Sequence, residues 1–389
     1  MNKIKLFRFK FKYLNFRMIF WVLALTLLGI VVIGSAAPGE RYEIKQFIGL
    51  SLGIVIMMVL SMLDYRVILK LHWVEYGICI MLLLAVLVPG IGREVNGARR
   101  WIPLVAGFNI QPSEFAKILM ILFWAWLYGN NPDNVKKWKR FFLTLPLTLI
   151  PLLLVVREPD LSTTILITVL FITALFISGF SYKKFGIILA VLVPIIVAGV
   201  VYIQSPNQKL LKGYQLNRIM AFLNPDEYDD LRYQQNNAEM AIGSGQLYGK
   251  GLYNDSADSV KNGNYIAEPQ TDFIFAIVGE EMGFIGSCIV IGLLLLITIE
   301  SILTGSRAVD MPGKIICFGV AAITTFQTFI NIGVVTSLLP NTGIPLPFVS
   351  YGLSSLITMY SGVGLVLSVR MTKKLSLEEA MNEHRFNCT

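Results

Sequence analysis

Charged residues are scarce in this sequence, at 15% of 389 positions, whereas a soluble globular domain carries roughly 25%. Hydrophobic residues make up 55%, in repeated runs near the ~20 residues that cross a bilayer. Only helices and closed barrels satisfy the backbone in lipid, and continuous rather than alternating runs favour helices. The composition excludes a soluble enzyme and predicts an all-α integral membrane protein.

Cysteine and histidine are also scarce. The four cysteines form no CxxC pair, and the two histidines are His72 and His384. Cysteines in apolar runs behave as small buried hydrophobes, so neither a zinc site nor a disulfide framework is expected. Neither histidine has a ligand partner at useful spacing, which argues against a catalytic or metal-binding histidine.

The hydrophobic runs predict a polytopic bundle of ten transmembrane helices within a single membrane domain, 1–389. Between helices 7 and 8 we expect a large extracellular loop, 205–270, whose glycines suggest a turn-rich segment. A basic tail, 1–17, precedes the bundle, and a second tail, 371–389, follows it. The predicted spans lie near 18–37, 46–63, 74–91, 113–129, 141–156, 161–179, 185–204, 271–303, 314–336 and 348–369.

Lysine and arginine predict the orientation, because cytoplasmic loops of membrane proteins are enriched in both. With the N-terminus inside, the tails and inner loops hold twenty basic residues and the short outer loops hold six. Both termini are therefore expected in the cytoplasm of a multi-pass bacterial membrane protein. Topology also explains the basic N-terminus, so no nucleic-acid partner is expected.

Polar residues recur at the outer half of the predicted spans, although an ionisable group at membrane depth costs at least ~2.5 kcal/mol. We expect one polar cavity facing outward. The contributing stretches are QPSEFAKI at 111–118, REPDLST at 157–163, TDFIFAIVGEE at 271–281 and the proline-rich 331–355. A further outer stretch, 92–104, holds three arginines, which indicate either an anionic partner or a solvated loop.

Each charged position has a plainer reading beside the functional one. Glu114 and Lys117 lie three residues apart and could form an ion pair at a helix start. Asp272 could be a helix N-cap. Glu280 lies two turns deeper on roughly the same face, whereas Glu281 points elsewhere and is expected to tolerate change best. Residue chemistry alone does not separate an enzyme from a transporter.

Six motifs occur in an order that resembles the SEDS family of RodA, FtsW and SpoVE. They are NGARRWI, QPSEFAKI, EPDLST, the run ending in GKG, TDFIFAIVGEEMGFIG and LLPNTGIPLPFVSYG. The resemblance implies a peptidoglycan glycosyltransferase that polymerises lipid II at the outer face of the cytoplasmic membrane. It implies a class B penicillin-binding protein as partner. LNP at 223–225 and the GKG spacing resemble RodA more than FtsW, which predicts a role in cell elongation.

The resemblance also implies roles for individual residues. Asp272 matches the family's essential aspartate, and we expect it to act as general base on the acceptor hydroxyl. Four polar cavity residues match Arg100, Glu114, Lys117 and Asp160. We expect Arg100 and Lys117 to bind the diphosphate that links undecaprenol to the glycan. The two acids are expected to position Lys117 or to hold a divalent cation, Mg²⁺ or Mn²⁺.

Three positions depart from the family pattern. Leu353 stands where a second glycine is usual, Ser337 replaces a glycine, and 268–270 reads Glu-Pro-Gln where an acid and histidine are common. Glu280 is expected to support the cavity or helix packing. Two other functional classes remain open: a flippase for lipid-linked precursors, and a non-catalytic scaffold of the wall-synthesis complex. No inverted repeat is apparent, which favours the enzyme over the transporter.

Overall fold

Helices dominate the computed structural model, which describes residues 10–95, 98–103, 109–129, 137–203, 213–224, 229–254, 256, 259–263 and 265–387. The helices are α1 Phe16–Ala36, α2 Tyr42–Met62, α3 Tyr65–Ile68, α4 His72–Leu87, α5 Pro112–Gly129, α6 Trp138–Arg157, α7 Leu161–Ile177, α8 Tyr182–Ile203, α9 Gly213–Leu223, α10 Asp229–Ser244, α11 Ile274–Ser306, α12 Met311–Val335 and α13 Leu353–Asn387. Short 3₁₀ turns occupy Phe11–Tyr13 and Leu69–Leu71.

Among the described residues, six helical segments are long and apolar enough to cross a membrane. They coincide with the first three and the last three predicted spans, and shorter apolar helices lie at Phe141–Arg157 and Leu161–Ile177. The multi-pass helical class is therefore confirmed. The full count of ten spans stays a prediction, although every predicted span overlaps a helix.

Two segments differ from the sequence-based expectation. A small antiparallel sheet replaces purely helical structure, with β1 Arg93–Val95, β2 Ala98–Pro103 and β3 Asn109–Ile110 in that order. The segment 205–270, predicted to be turn-rich, contains helices α9 and α10. Helix α10 packs against α11 and α12, so burial against the bundle stabilises a helix that its polar composition did not predict.

Small residues bring the central helices close together, as is common where lipid supplies no hydrophobic drive between spans. A Cβ on Gly53 of α2 would lie 2.9 Å from Tyr360 of α13, and one on Gly364 would lie 2.8 Å from the backbone of Met57. A Cβ on Gly319 of α12 would lie 2.9 Å from the side chain of Ile121 on α5. Glycine at these positions thus positions α13 and α12 against the helices that carry the polar residues.

Helix α11 is broken at Gly283, whose φ of 64° and ψ of −160° are not helical. The carbonyls of Glu280 and Glu281 accept hydrogen bonds from the backbone N–H groups of Lys250 and Gly251, both at 2.9 Å. Beyond the break, two further amides of α11 donate to the carbonyls of residues 246 and 247, at 2.8 and 3.2 Å. The segment 246–251 therefore supplies the partners that a broken helix in a membrane requires.

Two ion pairs, one from Lys250 in this segment and one from the later Lys261, also hold the chain against α11. Lys250 Nζ lies 2.9 Å from Glu280 Oε1, and Lys261 Nζ lies 2.7 Å from Glu281 Oε1. Glu280 also accepts the N–H of Val260 at 2.8 Å. Glu280 therefore contributes to the packing of α11 and does not line the cavity beside Asp272. Glu281 is 2% exposed, so the expectation that it tolerates change best is at odds with its buried ion pair.

Replacing Glu281 by Gln should destabilise the protein by about 3 kcal/mol, because Lys261 keeps a buried charge without its counter-ion. The thermal unfolding midpoint of the detergent-solubilised protein measures this loss. The matched control is Glu94→Gln, which breaks an exposed ion pair with Arg99 and should cost less than about 1 kcal/mol. Equal midpoints for the two variants would contradict the assignment.

Candidate functional site

A cavity of about 210 Å³ opens beside the N-terminal end of α11. Strand β2, helix α9, the segment before α11 and the loop before α13 all contribute to its wall. Its charged and polar lining includes Arg100, Gln111, Arg218, Glu268, Thr271 and Asp272. Of the four polar stretches that the sequence predicted to converge, 111–118, 271–281 and 331–355 contribute lining residues, whereas 157–163 contributes none and α9 was not predicted.

The backbone around Asp272 is held by the loop that precedes α13. Asn331 Nδ2, on α12, donates to the carbonyls of Asp272 and Ile344, both at 2.7 Å. Ser350 Oγ donates to the carbonyl of Thr271 at 2.7 Å. Helix α11 begins at Ile274 and has no side-chain cap at its N-cap, Phe273. The N-cap reading of Asp272 is therefore wrong, and its carboxylate faces the cavity instead.

The carboxyl of Asp272 has a pKa raised to about 6, chiefly because burial disfavours the charged form. The nearby carboxylates of Glu268 and Asp160 raise this pKa further, whereas the guanidinium groups of Arg218 and Arg100 lower it. A carboxylate with a pKa near 6 is mostly ionised at neutral pH. It is also a stronger base than an ordinary aspartate, as proton transfer requires.

Gly343 fixes the space in front of Asp272. Its φ is +72°, and a Cβ there would lie 3.1 Å from Asp272 Oδ2 and 3.5 Å from Arg218 Nη1. The carboxylate and the guanidinium therefore approach the same point, which only glycine leaves open. Sequence reasoning missed Arg218, since α9 read as part of a long loop and offered no signal of where its arginine would lie.

Arg100 lies on β2 and lines the same cavity. Its Nε donates to the carbonyl of Glu158 at 3.2 Å, and its Nη2 donates to the carbonyl of Pro159. The Glu158 carboxyl is fully buried, which raises its pKa to about 9; the charge of Asp160 adds to this shift and that of Arg100 opposes it. With that pKa, Glu158 is mostly protonated at neutral pH and does not neutralise Arg100.

Asp160 acts as the N-cap of α7 rather than as part of the cavity lining. Its carboxylate accepts from Thr163 N and Oγ1, Gln111 Nε2 and Ser113 Oγ, at 2.9–3.3 Å. Only Gln111 of these partners lines the cavity. Asp160 therefore orients the side-chain amide of Gln111 and does not itself line the cavity.

Glu114 and Lys117 lie buried on α5, with Lys117 Nζ 2.7 Å from Glu114 Oε1. Lys117 Nζ also donates to Gln327 Oε1 at 3.2 Å, and Gln327 Nε2 donates to the carbonyl of Pro345 at 3.0 Å. Pro345 lines the cavity, while Lys117 is 1% exposed. The ion pair that the spacing predicted is therefore present. Neither side chain is among the residues that line the cavity, where both were expected, and the pair supports the cavity wall from beneath.

The acids proposed as divalent-cation ligands do not fit that role. Asp160 is bonded to four donor atoms and Glu114 to Lys117. Within the described ranges, no group of three or more His, Cys, Asp or Glu side chains could hold a metal. Glu268 and Asp272 are the carboxyl groups that line the cavity.

These features define a predominantly helical, multi-pass membrane protein with a charged cavity at one end of its bundle. The chain belongs to the FtsW/RodA/SpoVE family, because the family model described as "Cell cycle protein" matches residues 16–375. The resemblance drawn from the motifs is therefore confirmed.

Named relatives and a solved structure support the same family membership. The peptidoglycan glycosyltransferase MrdB of Escherichia coli K12 is 34% identical, over 92% of this chain and 94% of its own. The probable peptidoglycan glycosyltransferase FtsW of Trichlorobacter lovleyi is 32% identical, over 91% and 92%. A solved chain from "Structural coordination of polymerization and crosslinking by a peptidoglycan synthase complex" is 29% identical, with a TM-score of 0.77 and coverage of 92% and 98%.

Asp272→Asn should make the protein more stable at pH 7 but not at pH 4. Below the unfolded pKa of 3.8 both states bind the proton, so the residue has no effect. As the pH rises to 6 the unfolded chain releases the proton first, and the wild type loses about 1–2 kcal/mol. Unfolding midpoints of both proteins at pH 4, 5, 6 and 7 measure this difference, and a constant gap would contradict it.

Proposed function

We propose that this chain is a peptidoglycan glycosyltransferase that polymerises lipid II into glycan strands at the outer face of the cytoplasmic membrane. Relatives of similar length carry glycosyltransferase names. The observation that carries the proposal is the cavity itself, where the Asp272 carboxyl, with its raised pKa, lies beside two arginines. Transfer of a sugar from a lipid diphosphate needs such a base and such cationic groups.

In the proposed reaction, Asp272 accepts the proton of the 4-hydroxyl on the acceptor lipid II sugar. The resulting oxygen attacks the anomeric carbon of the growing glycan, and the bond from that carbon to the diphosphate breaks. Undecaprenyl diphosphate leaves with the electron pair, and the α link becomes a β link. A positioned base contributes about 10²–10⁴ in rate to such a step.

The leaving diphosphate is assigned to Arg100 and Arg218, which both line the cavity. A guanidinium group donates two parallel hydrogen bonds to phosphate oxygens, and a positive charge placed where negative charge develops lowers the barrier. Lys117, first considered for this role, is buried in its pair with Glu114. We assign it to support of the cavity wall through Gln327.

The proposed arrangement in the membrane has ten spans with both termini in the cytoplasm and the segment 205–270 outside. This orientation puts the Asp272 cavity at the outer face, where lipid-linked precursors are polymerised. We propose a class B penicillin-binding protein as partner, in line with the synthase complex that contains the similar solved chain. The likeness of the GKG region to RodA supports a role in elongation.

Asp272→Asn should lower the rate of lipid II polymerisation at least about 10²-fold, because the amide cannot accept the hydroxyl proton. The assay is glycan formation by the purified protein with its partner in detergent, resolved by gel electrophoresis. The matched control is Glu268→Gln, an exposed acid that lines the same cavity and should keep most of the activity.

Several outcomes of that assay would count against the proposal. Normal polymer from Asp272→Asn would remove the base from the mechanism. A wild-type protein that made no polymer with its partner, yet moved lipid II across vesicle membranes, would indicate a flippase. If substitutions of the cavity residues had no effect on cell growth or shape, the protein would instead be a scaffold.

Arg100→Gln should lower kcat/KM for lipid II by about 10²-fold, whereas Arg99→Gln should leave it within about twofold. The two arginines are neighbours on β2 and therefore point to opposite faces. Arg99 forms an exposed ion pair with Glu94 at 3.1 Å. Arg218→Gln provides a second test, because Arg100 also binds two backbone carbonyls. Equal losses from Arg99→Gln and Arg100→Gln would indicate a general charge effect.

A further inference from the structure

A second cavity, of about 230 Å³, lies at the other end of α11. Glu300 lies 17 residues beyond the break at Gly283, which corresponds to about 25 Å of continuous helix at 1.5 Å per residue. This cavity, formed around Glu300 and Arg307, is therefore on the opposite side of the bundle from Asp272. The proposed glycosyl transfer makes no use of it.

Positive charge is concentrated around this cavity. Among the described side chains, five basic residues from α1, the end of α11 and α13 line it together with one acid, Glu300. Arg17 lies 3.0 Å from Glu300 and Arg370 lies 3.8 Å from it. One carboxylate does not balance five cations, so this lining carries a net positive charge. The cations are Arg17, Arg307, Arg370, Lys373 and Lys374.

One of these cations has an unused donor. The Nε of Arg370 is buried and has no hydrogen-bond partner among the described residues. A buried donor without an acceptor is costly, and natural structures rarely keep one unless a ligand, ion or water satisfies it. An oxygen atom of an anion in the cavity would provide the missing acceptor.

Two general effects explain part of this pattern. Loops at the cytoplasmic surface are rich in lysine and arginine, and Arg307 at the C-cap of α11 complements the helix dipole. Neither effect requires cations from three separate segments to surround one cavity. Neither accounts for the unpartnered Nε of Arg370.

We propose that this cavity binds a phosphate-bearing anion, with the headgroup of an anionic phospholipid as its occupant. Basic pockets between helices at a membrane surface bind such headgroups, and arginine matches the geometry of phosphate oxygens. Leu303 lines the cavity and is 39% exposed, so an apolar surface for an acyl chain adjoins the charged one. The proposal does not depend on which end of the bundle faces the cytoplasm.

The test uses the full-length protein purified in detergent with equal amounts of phosphatidylglycerol and phosphatidylcholine. Native mass spectrometry then gives the fraction of protein that carries each lipid. We expect the wild type to retain phosphatidylglycerol preferentially. Arg370→Gln and Lys373→Gln should each reduce this preference about fivefold, the contribution of one basic side chain near an anionic surface. Lys373→Gln keeps the test informative if Arg370→Gln does not fold.

The control is Lys70→Gln, which removes an exposed cation at the same end of the bundle. Its neighbour Arg66 binds Asp310, just beyond α11, at 3.0 Å. Lys70→Gln should leave the lipid preference unchanged. An equal loss in this control would overturn the proposal, since the effect would then be general surface charge.

A second arm distinguishes a lipid headgroup from free phosphate. Inorganic phosphate is added to the lipid-free protein, with chloride at matched ionic strength as reference, and the unfolding midpoint is measured. A midpoint raised in the wild type but not in Arg370→Gln, without any lipid preference, would support the same site with a soluble phosphate ligand. The proposal would be overturned if the wild type showed no preference for phosphatidylglycerol and no rise in its unfolding midpoint with phosphate.

Discussion

The exchange of backbone hydrogen bonds at the break in α11 is the constraint on which the site depends. A membrane helix interrupted at Gly283 leaves carbonyl and amide groups that lipid cannot satisfy. The segment 246–251 satisfies them, and Lys250 and Lys261 add buried ion pairs. The first half of α11 is thereby tied to this segment as well as to α12. Asp272 stands at the start of that half, so its position follows from contacts made three turns away.

Buried charges in this chain serve two different ends. The pairs Lys117–Glu114 and Lys261–Glu281 are almost completely buried and bonded to each other, so their charges are used within the fold. Asp272, Arg100 and Arg218 line a cavity instead. Ionisable groups in membrane segments often mark function, and their place in the cavity wall separates these three residues from the pairs that are buried within the fold.

Hydropathy and charge patterns predicted the helical membrane class, and the motifs predicted the family and three of the stretches that meet around Asp272. The structure added what only tertiary contacts determine. Arg218 lies on α9, which packs against α10, so its approach to Asp272 has no local sequence signal. Conversely, the spacing of Glu114 and Lys117 predicted their ion pair but not their depth beneath the cavity. Glu281 appeared dispensable because its partner, Lys261, lies twenty residues earlier.

A buried hydrogen-bonded layer joins the charged pair on α5 to the wall of the Asp272 cavity. Glu114, Lys117 and Gln327 are buried and linked by hydrogen bonds, and Gln327 donates to the carbonyl of Pro345. Pro345 lines the cavity, whereas Glu114 and Lys117 do not. A substitution on α5 therefore reaches the cavity only through Gln327 and Pro345, so the shape of the wall depends on side chains that a ligand does not touch.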